Sequence, residues 1–118
     1  KYSDVVSLHI PLTRETKQMV DGEYFRYFRR PFFFLNAARG EIVNTQSVLD
    51  AIKEGKILGA GLDVLETEKF PALADTKFYK DLINNGKVIL TPHIGGWTFD
   101  SYRKISEVLA DKLKNLEI

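Results

Sequence analysis

Three stretches of this chain follow an apolar run with a residue able to do chemistry: Asn36-Ala-Ala-Arg39-Gly40, Gly61-Leu-Asp-Val-Leu-Glu-Thr-Glu68 and Thr91-Pro-His93-Ile-Gly-Gly96. Each run reads as a buried parallel strand, and ligands of open α/β sheets bind outside the carboxyl ends of such strands. An arginine, a carboxylate and an imidazole gathered at one edge would act as an anion anchor, an electrostatic partner and a proton donor. The guanidinium of Arg39 can hold a carboxylate through two parallel hydrogen bonds, and its small neighbours Ala38 and Gly40 let a ligand come close. A carboxylate beside His93 would favour the imidazolium and fix the ring's orientation. Spacing alone does not separate Glu68 from Glu66 for that part.

Other residues carry weaker signals. Asp63 falls inside the third apolar run, where a carboxylate needs partners; a bound ligand and a neighbouring loop would each supply them. His9 closes the first run ahead of Pro11 and is expected either to contact a ligand or to make a structural hydrogen bond. Gly95 and Gly96 permit close backbone approach to a flat ligand. There is no His-x-x-x-His, no cysteine pair and no Gly-x-Ser-x-Gly in the sequence. Metal and serine-hydrolase chemistry therefore find no support in it.

The elements that must position these residues follow from periodicity. Val5–Ile10, Phe32–Ala37, Ala60–Leu65 and Val88–Leu90 read as strands, and their near-continuous apolar character predicts parallel strands covered on both faces. Asp21 is placed to cap a short helix carrying Tyr24, Phe25 and Phe28, ending before Pro31. Asn44 is placed to cap a second, with Val48, Leu49 and Ile52 inward and Gly55 just past its end. Pro71 begins a loop or helix leading through Phe78 and Leu82 to a turn at Asn84-Asn-Gly86. Thr98 opens a longer amphipathic helix with Ile105, Val108, Leu109, Leu113 and Leu116 as its apolar stripe. Alternating strands and helices predict an α/β fold, part of a doubly wound, Rossmann-like parallel sheet with flanking helices.

Composition bounds the rest. The 118 residues hold one modest core, with 44% hydrophobic and 28% charged residues. A net charge of +1 gives no electrostatic reason for a nucleic-acid or membrane partner, and the cluster Arg26, Arg29, Arg30 reads as a solvated helix end. No apolar run approaches the ~20 residues of a membrane span. The chain lacks cysteine, which permits a reducing, cytoplasmic setting. It begins with lysine four residues before its first strand, and a piece of a longer polypeptide is the expectation.

Taken together, the segments resemble the cofactor domain of the D-isomer-specific 2-hydroxyacid dehydrogenases, the family of D-3-phosphoglycerate and D-lactate dehydrogenases. The resemblance runs from Ser3-Asp-Val-Val-Ser-Leu-His9-Ile-Pro11-Leu-Thr13 through Asn36–Gly40 and Gly59-Ala-Gly-Leu-Asp63-Val to Thr91–Gly96, in order and at family-like spacing. It implies catalytic roles for Arg39, Glu68 and His93, and it selects Glu68 over Glu66 by distance from Asp63. It also implies that NAD lies along His9, Pro11, Ala37, Ala38 and Arg39, with Asp63, His93, Gly95 and Gly96 at the nicotinamide end. The partners implied are a small 2-hydroxy or 2-keto acid and further copies in a homodimer or higher oligomer. The rival reading is an NAD-sensing corepressor without turnover, which shares the fold and the three residues.

Ala38, Lys69 and Trp97 depart from the family pattern, which usually has serine or threonine, proline and a small residue there. The Gly-x-Gly-x-x-Gly turn of such domains does not occur. The expectation is therefore the second half of the NAD-binding domain plus an exit helix. The first Rossmann half and the substrate domain are absent, and the piece by itself is expected to be inactive.

Overall fold

The computed structural model describes residues 2–115. Four strands, β1 (Val5–Leu8), β2 (Phe32–Asn36), β3 (Ile57–Leu62) and β4 (Val88–Leu90), lie in that order in one sheet. All three pairings are parallel. Each connection carries helix: α1 (Gly22–Arg26) between β1 and β2, α2 (Thr45–Lys53) between β2 and β3, and α3 (Ala72–Asp75) with α4 (Lys77–Ile83) between β3 and β4. A single 3-10 turn, Gly40–Ile42, precedes α2, and α5 (Phe99–Lys114) follows β4. The α/β expectation holds.

Local chemistry starts these elements as the sequence suggests, although α1 ends at Arg26 and leaves Phe28 outside the helix it was expected to join. The Asp21 carboxylate accepts from the Tyr24 amide and caps α1, Asn44 accepts from the Ser47 amide and caps α2, and Thr98 accepts from the Ser101 amide and caps α5. Gly55, at φ 74°, closes α2. Its amide bonds the Ile52 carbonyl while the Lys56 amide bonds Ala51. This paired arrangement needs a left-handed residue after the helix.

The core lies on one face of the sheet. Phe32, Phe34 and Asn36 of β2 point into it, with Leu8, Ala60 and Leu62 beside them and Val48, Ile52 and Leu82 from α2 and α4 above. Phe25 and Phe28 join them, the Phe28 and Phe32 rings lying 4.4 Å apart and Phe25 and Phe34 5.5 Å apart. Burying a side chain of this size contributes about 2 kcal/mol, so four phenylalanines anchor the α1–β2 corner.

Three expectations need correction. The strands are not covered on both faces: among the described residues Val5, Phe33, Leu35 and Ile89 remain exposed on the side opposite the core. Helices α1, α2 and α4 all pack on the same side, so the apolar residues of alternate positions are left bare. Second, β3 starts at Ile57 and ends at Leu62 rather than running from Ala60 to Leu65, with Leu58 an extra residue against β2. The glycines that disguise this strand have a packing reason: a Cβ on Gly61 would come within 2.8 Å of Leu35 Cδ2. Third, β1 and β2 stop short of Ile10 and Ala37. Asn36 ends β2 because its side chain turns to the following loop. The stripe of α5 is present but uncovered, since no residue of α5 is buried; Leu116 lies outside the described residues.

Candidate active site

The carboxyl ends of β1, β2, β3 and β4 deliver His9, Arg39, Asp63 and His93 to one edge. At the end of β2 the buried Asn36 amide shapes the turn. Its Oδ1 accepts from the Ala38 amide at 3.1 Å and its Nδ2 donates to the Arg39 carbonyl at 3.1 Å. Arg39 itself is exposed, and its Nη1 donates to the Ala38 carbonyl at 2.7 Å. Among the described residues no carboxylate forms an ion pair with it.

Beyond β3, Asp63 stands just past the strand rather than within it. Its Oδ1 accepts from the Ile94 amide at 3.0 Å and its Oδ2 from the Gly95 amide at 2.8 Å, and the Thr91 hydroxyl also donates to it. Of the two partners open to Asp63, the neighbouring loop is the one observed. This grip holds His93 at φ 56°, in the left-handed region. A Cβ on Gly95 would sit 2.9 Å from Asp63 Oδ2, so a side chain there would displace the carboxylate that grips the loop.

Burial works to raise the Asp63 pKa, but the hydrogen bonds from Thr91, Gly95 and Ile94, with the charge of His93, outweigh it and hold the carboxyl below its ordinary value. A depressed folded-state value means the stabilisation is present above the unfolded value, about 3.9. It is lost as pH falls through the folded one. Acidification below about pH 4 is therefore expected to release the 91–95 loop, reported by fluorescence of Trp97, the single tryptophan. Asp63→Asn is expected to show the released signal already at neutral pH, because an amide nitrogen then confronts backbone donors. A transition unchanged by this substitution would contradict the assignment.

The two glutamates separate cleanly. Glu68 Oε2 lies 2.8 Å from His93 Nδ1, and its Oε1 accepts from the Leu65 amide at 3.0 Å. Glu66 turns away, accepting from the Thr45 amide at 3.2 Å and from Gln18 at 2.6 Å. Arg39, Glu68 and His93 line one cavity of about 480 Å³. A second, more apolar cavity of about 440 Å³ shares Leu65, Glu68 and His93 and extends to Phe70, Leu73, Tyr79 and Leu90. His9 Nε2 is 2.8 Å from the Ser7 hydroxyl, so the structural bond is the one observed. His9 also lines a third cavity of about 440 Å³ with Pro11, Ala37, Ala38 and Arg39.

Sequence reasoning gave no role to Asn36, Thr91 or Gln18. Asn36 and Thr91 lie in motifs already singled out, and a polar residue closing a buried strand was the available signal. Gln18 offered none, since its partner is 48 residues away.

An open parallel sheet with reactive residues along its carboxyl edge defines the ligand-binding α/β domains. Residues 1–95 match the family described as D-isomer specific 2-hydroxyacid dehydrogenase, NAD binding domain, and the chain belongs to that family. It is 39% identical over 113 residues to a glyoxylate reductase of Pyrococcus furiosus, covering 96% of this chain and 32% of that protein. Among solved structures, D-lactate dehydrogenase with NAD+ from Lactobacillus jensenii superposes with a TM-score of 0.77 at 34% identity, over 90% of this chain and 34% of that one. D-Lactate dehydrogenase from Aquifex aeolicus complexed with NAD and lactic acid gives 0.75 at 34% identity, over 95% and 36%. The chain thus spans about a third of the length of the relatives it matches.

The residues present fit one end of a dinucleotide. The His9–Leu12 and Ala37–Arg39 segments bound an open cavity whose lining includes the small side chains of Ala37 and Ala38. Gly96 has no atom within 4 Å of where a Cβ would stand. A glycine-rich turn for the pyrophosphate is not among the 118 residues.

Proposed function

We propose that the full-length protein interconverts a D-2-hydroxy acid and its 2-keto acid with NAD(H). In it these residues form the second half of the NAD-binding domain and, through α5, its exit helix. A first Rossmann half and a substrate domain lie elsewhere in that protein. The observation that carries this reading is the convergence of Arg39 and the Glu68–His93 pair on one cavity at the sheet's carboxyl edge.

NADH, when bound, supplies the hydride that reaches the carbonyl carbon. The chain's own residues do the rest. An ionised carboxylate has no proton to give, so His93 Nδ1 carries the proton it shares with Glu68. Nε2 is then the exchangeable nitrogen. Protonated, it donates to the oxygen that develops negative charge; deprotonated, it takes the hydroxyl proton in the reverse direction. Arg39, free of any carboxylate partner among the described residues, binds the substrate carboxylate and offsets charge as the reaction proceeds. His9, Pro11, Ala37, Ala38, Gly95 and Gly96 line the cofactor in this reading. Asp63 faces its nicotinamide end while shaping the loop that holds His93.

No helix among the described residues is long and apolar enough to cross a membrane; a cytoplasmic placement is part of the function we propose. A homodimer or larger assembly is proposed together with this function; the bare sheet face and the stripe of α5 are apolar surface that the rest of the full-length chain would cover. The test is direct: full-length protein is expected to oxidise NADH in the presence of glyoxylate, pyruvate or phosphohydroxypyruvate. Failure with every one of these 2-keto acids would remove the reading.

A further inference from the structure

Glu66, the carboxylate that does not face His93, joins a chain of hydrogen bonds whose direction is fixed throughout. The Ser47 amide and hydroxyl both donate to Asn44 Oδ1, at 2.9 Å each. That leaves Asn44 Nδ2 to donate to Gln18 Oε1 at 3.1 Å. Gln18 Nε2 must then donate to Glu66 Oε1, at 2.6 Å, while Glu66 Oε2 accepts from the Thr45 amide at the start of α2. Asn44 cannot turn over without losing the cap of α2, so the last member has to be an acceptor at both oxygens. A carboxylate meets that requirement and an amide does not.

The node is partly buried, and it ties two segments, the loop at Gln18 and the start of α2, to the loop between β3 and α3. Gln18 is held at φ 57°, its own amide bonded to the Glu41 carbonyl at 2.8 Å. Glu66 directly follows Leu65, whose amide orients Glu68 at 3.0 Å and whose carbonyl lies where a Cβ of Gly40 would be. Fixing Glu66 therefore fixes the backbone on which the Glu68 carboxylate hangs, and through it His93 Nδ1.

We propose that Glu66 and Gln18 are positioning residues for the reaction: their hydrogen bond holds the loop that sets the Glu68–His93 contact. The inference rests on the dehydrogenase reading for its kinetic effect and on the geometry alone for its spectroscopic one. Glu66 lines the same cavity as Arg39, Glu68 and His93, but both of its oxygens are held by Gln18 and the Thr45 amide. Its effect on turnover in this proposal runs through the loop, and the exchange variant, which keeps the net charge, separates that from a loss of charge.

The experiment uses full-length protein, the Glu66→Gln variant and the exchange variant Gln18→Glu/Glu66→Gln. In the single variant two amide donors face each other. In the exchange variant the acceptor moves to position 18, where it serves both Asn44 and the new glutamine, and every bond is restored. Glu66→Gln is expected to lower kcat about 10- to 100-fold, the scale of a small misplacement of a reacting group, with little change in KM for the keto acid. In protein with isotope-labelled histidine, the down-field proton signal of His93 Nδ1–H on a carboxylate is expected to weaken in parallel. The exchange variant is expected to regain both within about twofold, since the displaced group is back in register. A single variant with wild-type kcat and signal, or an exchange variant that fails to recover them, would overturn the proposal. Absence of turnover on any 2-keto acid would defeat the dehydrogenase reading, while the His93 signal would still decide the positioning.

Discussion

His93→Asn in the full-length protein is expected to lower kcat by about 10²- to 10⁴-fold, the usual contribution of a positioned proton donor. Asparagine is the informative replacement. It tolerates the left-handed backbone that His93 adopts, so the grip of Asp63 on the Ile94 and Gly95 amides is expected to survive. The amide can still donate toward Glu68, but it has no exchangeable proton at the Nε2 position. Cofactor affinity, measured by NADH fluorescence, is expected to fall far less than the chemical step, because His93 is one of several residues at the nicotinamide end but the one that moves the proton. A variant with near-normal kcat would end the assignment of His93 as the donor.

The second large effect concerns a residue with no functional group. Gly40 follows Arg39 and is buried, and a Cβ on it would stand 1.8 Å from the Leu65 carbonyl oxygen and 2.0 Å from its carbon. Those are backbone atoms of the loop that carries Glu68, so no side chain can swing aside. Gly40→Ala is expected to cost about 3 kcal/mol, the upper end of overpacking penalties, read as a lower urea midpoint. It is also expected to separate Arg39 from Glu68 and so to remove activity in whatever protein still folds. Gly22→Ala is the control. Its Cβ would meet only Ser47 Oγ at 3.8 Å, an ordinary contact, and a change within about 0.5 kcal/mol is expected. Equal stability of both variants would show that the β2 and β3 loops are not pressed together as described.

What the sequence revealed and what it hid divide along physical lines. Caps are local, each a side chain meeting an amide three residues on, and Asp21, Asn44 and Thr98 all emerge from reading in order. Gly55 declares itself for the same reason. Strand β4 is found at its observed limits, whereas β3 begins three residues early because Gly59 and Gly61 lower its strand character while serving to admit Phe33 and Leu35. The apolar runs predicted a sheet buried on both sides, but burial depends on what is stacked against a strand, and β2 alternates buried and exposed along its whole length.

At the site, residue types pointed to Arg39 and His93, but not to which glutamate belonged with the imidazole. Only distance from Asp63 in related proteins favoured Glu68, and the geometry then showed why Glu66 is elsewhere: its partners are on α2 and at Gln18. Contacts across 21 and 48 residues leave no periodic trace in a single sequence.

The left-handed backbone at His93 has one more consequence. A residue with a Cβ in that conformation gives up about 1 kcal/mol or more relative to glycine. Selection for durability alone would thus replace the imidazole by hydrogen, and selection for turnover would bring it back. Robustness and reactivity pull in opposite directions at one dihedral angle, and the three donors converging on Asp63 are what let the reactive choice persist.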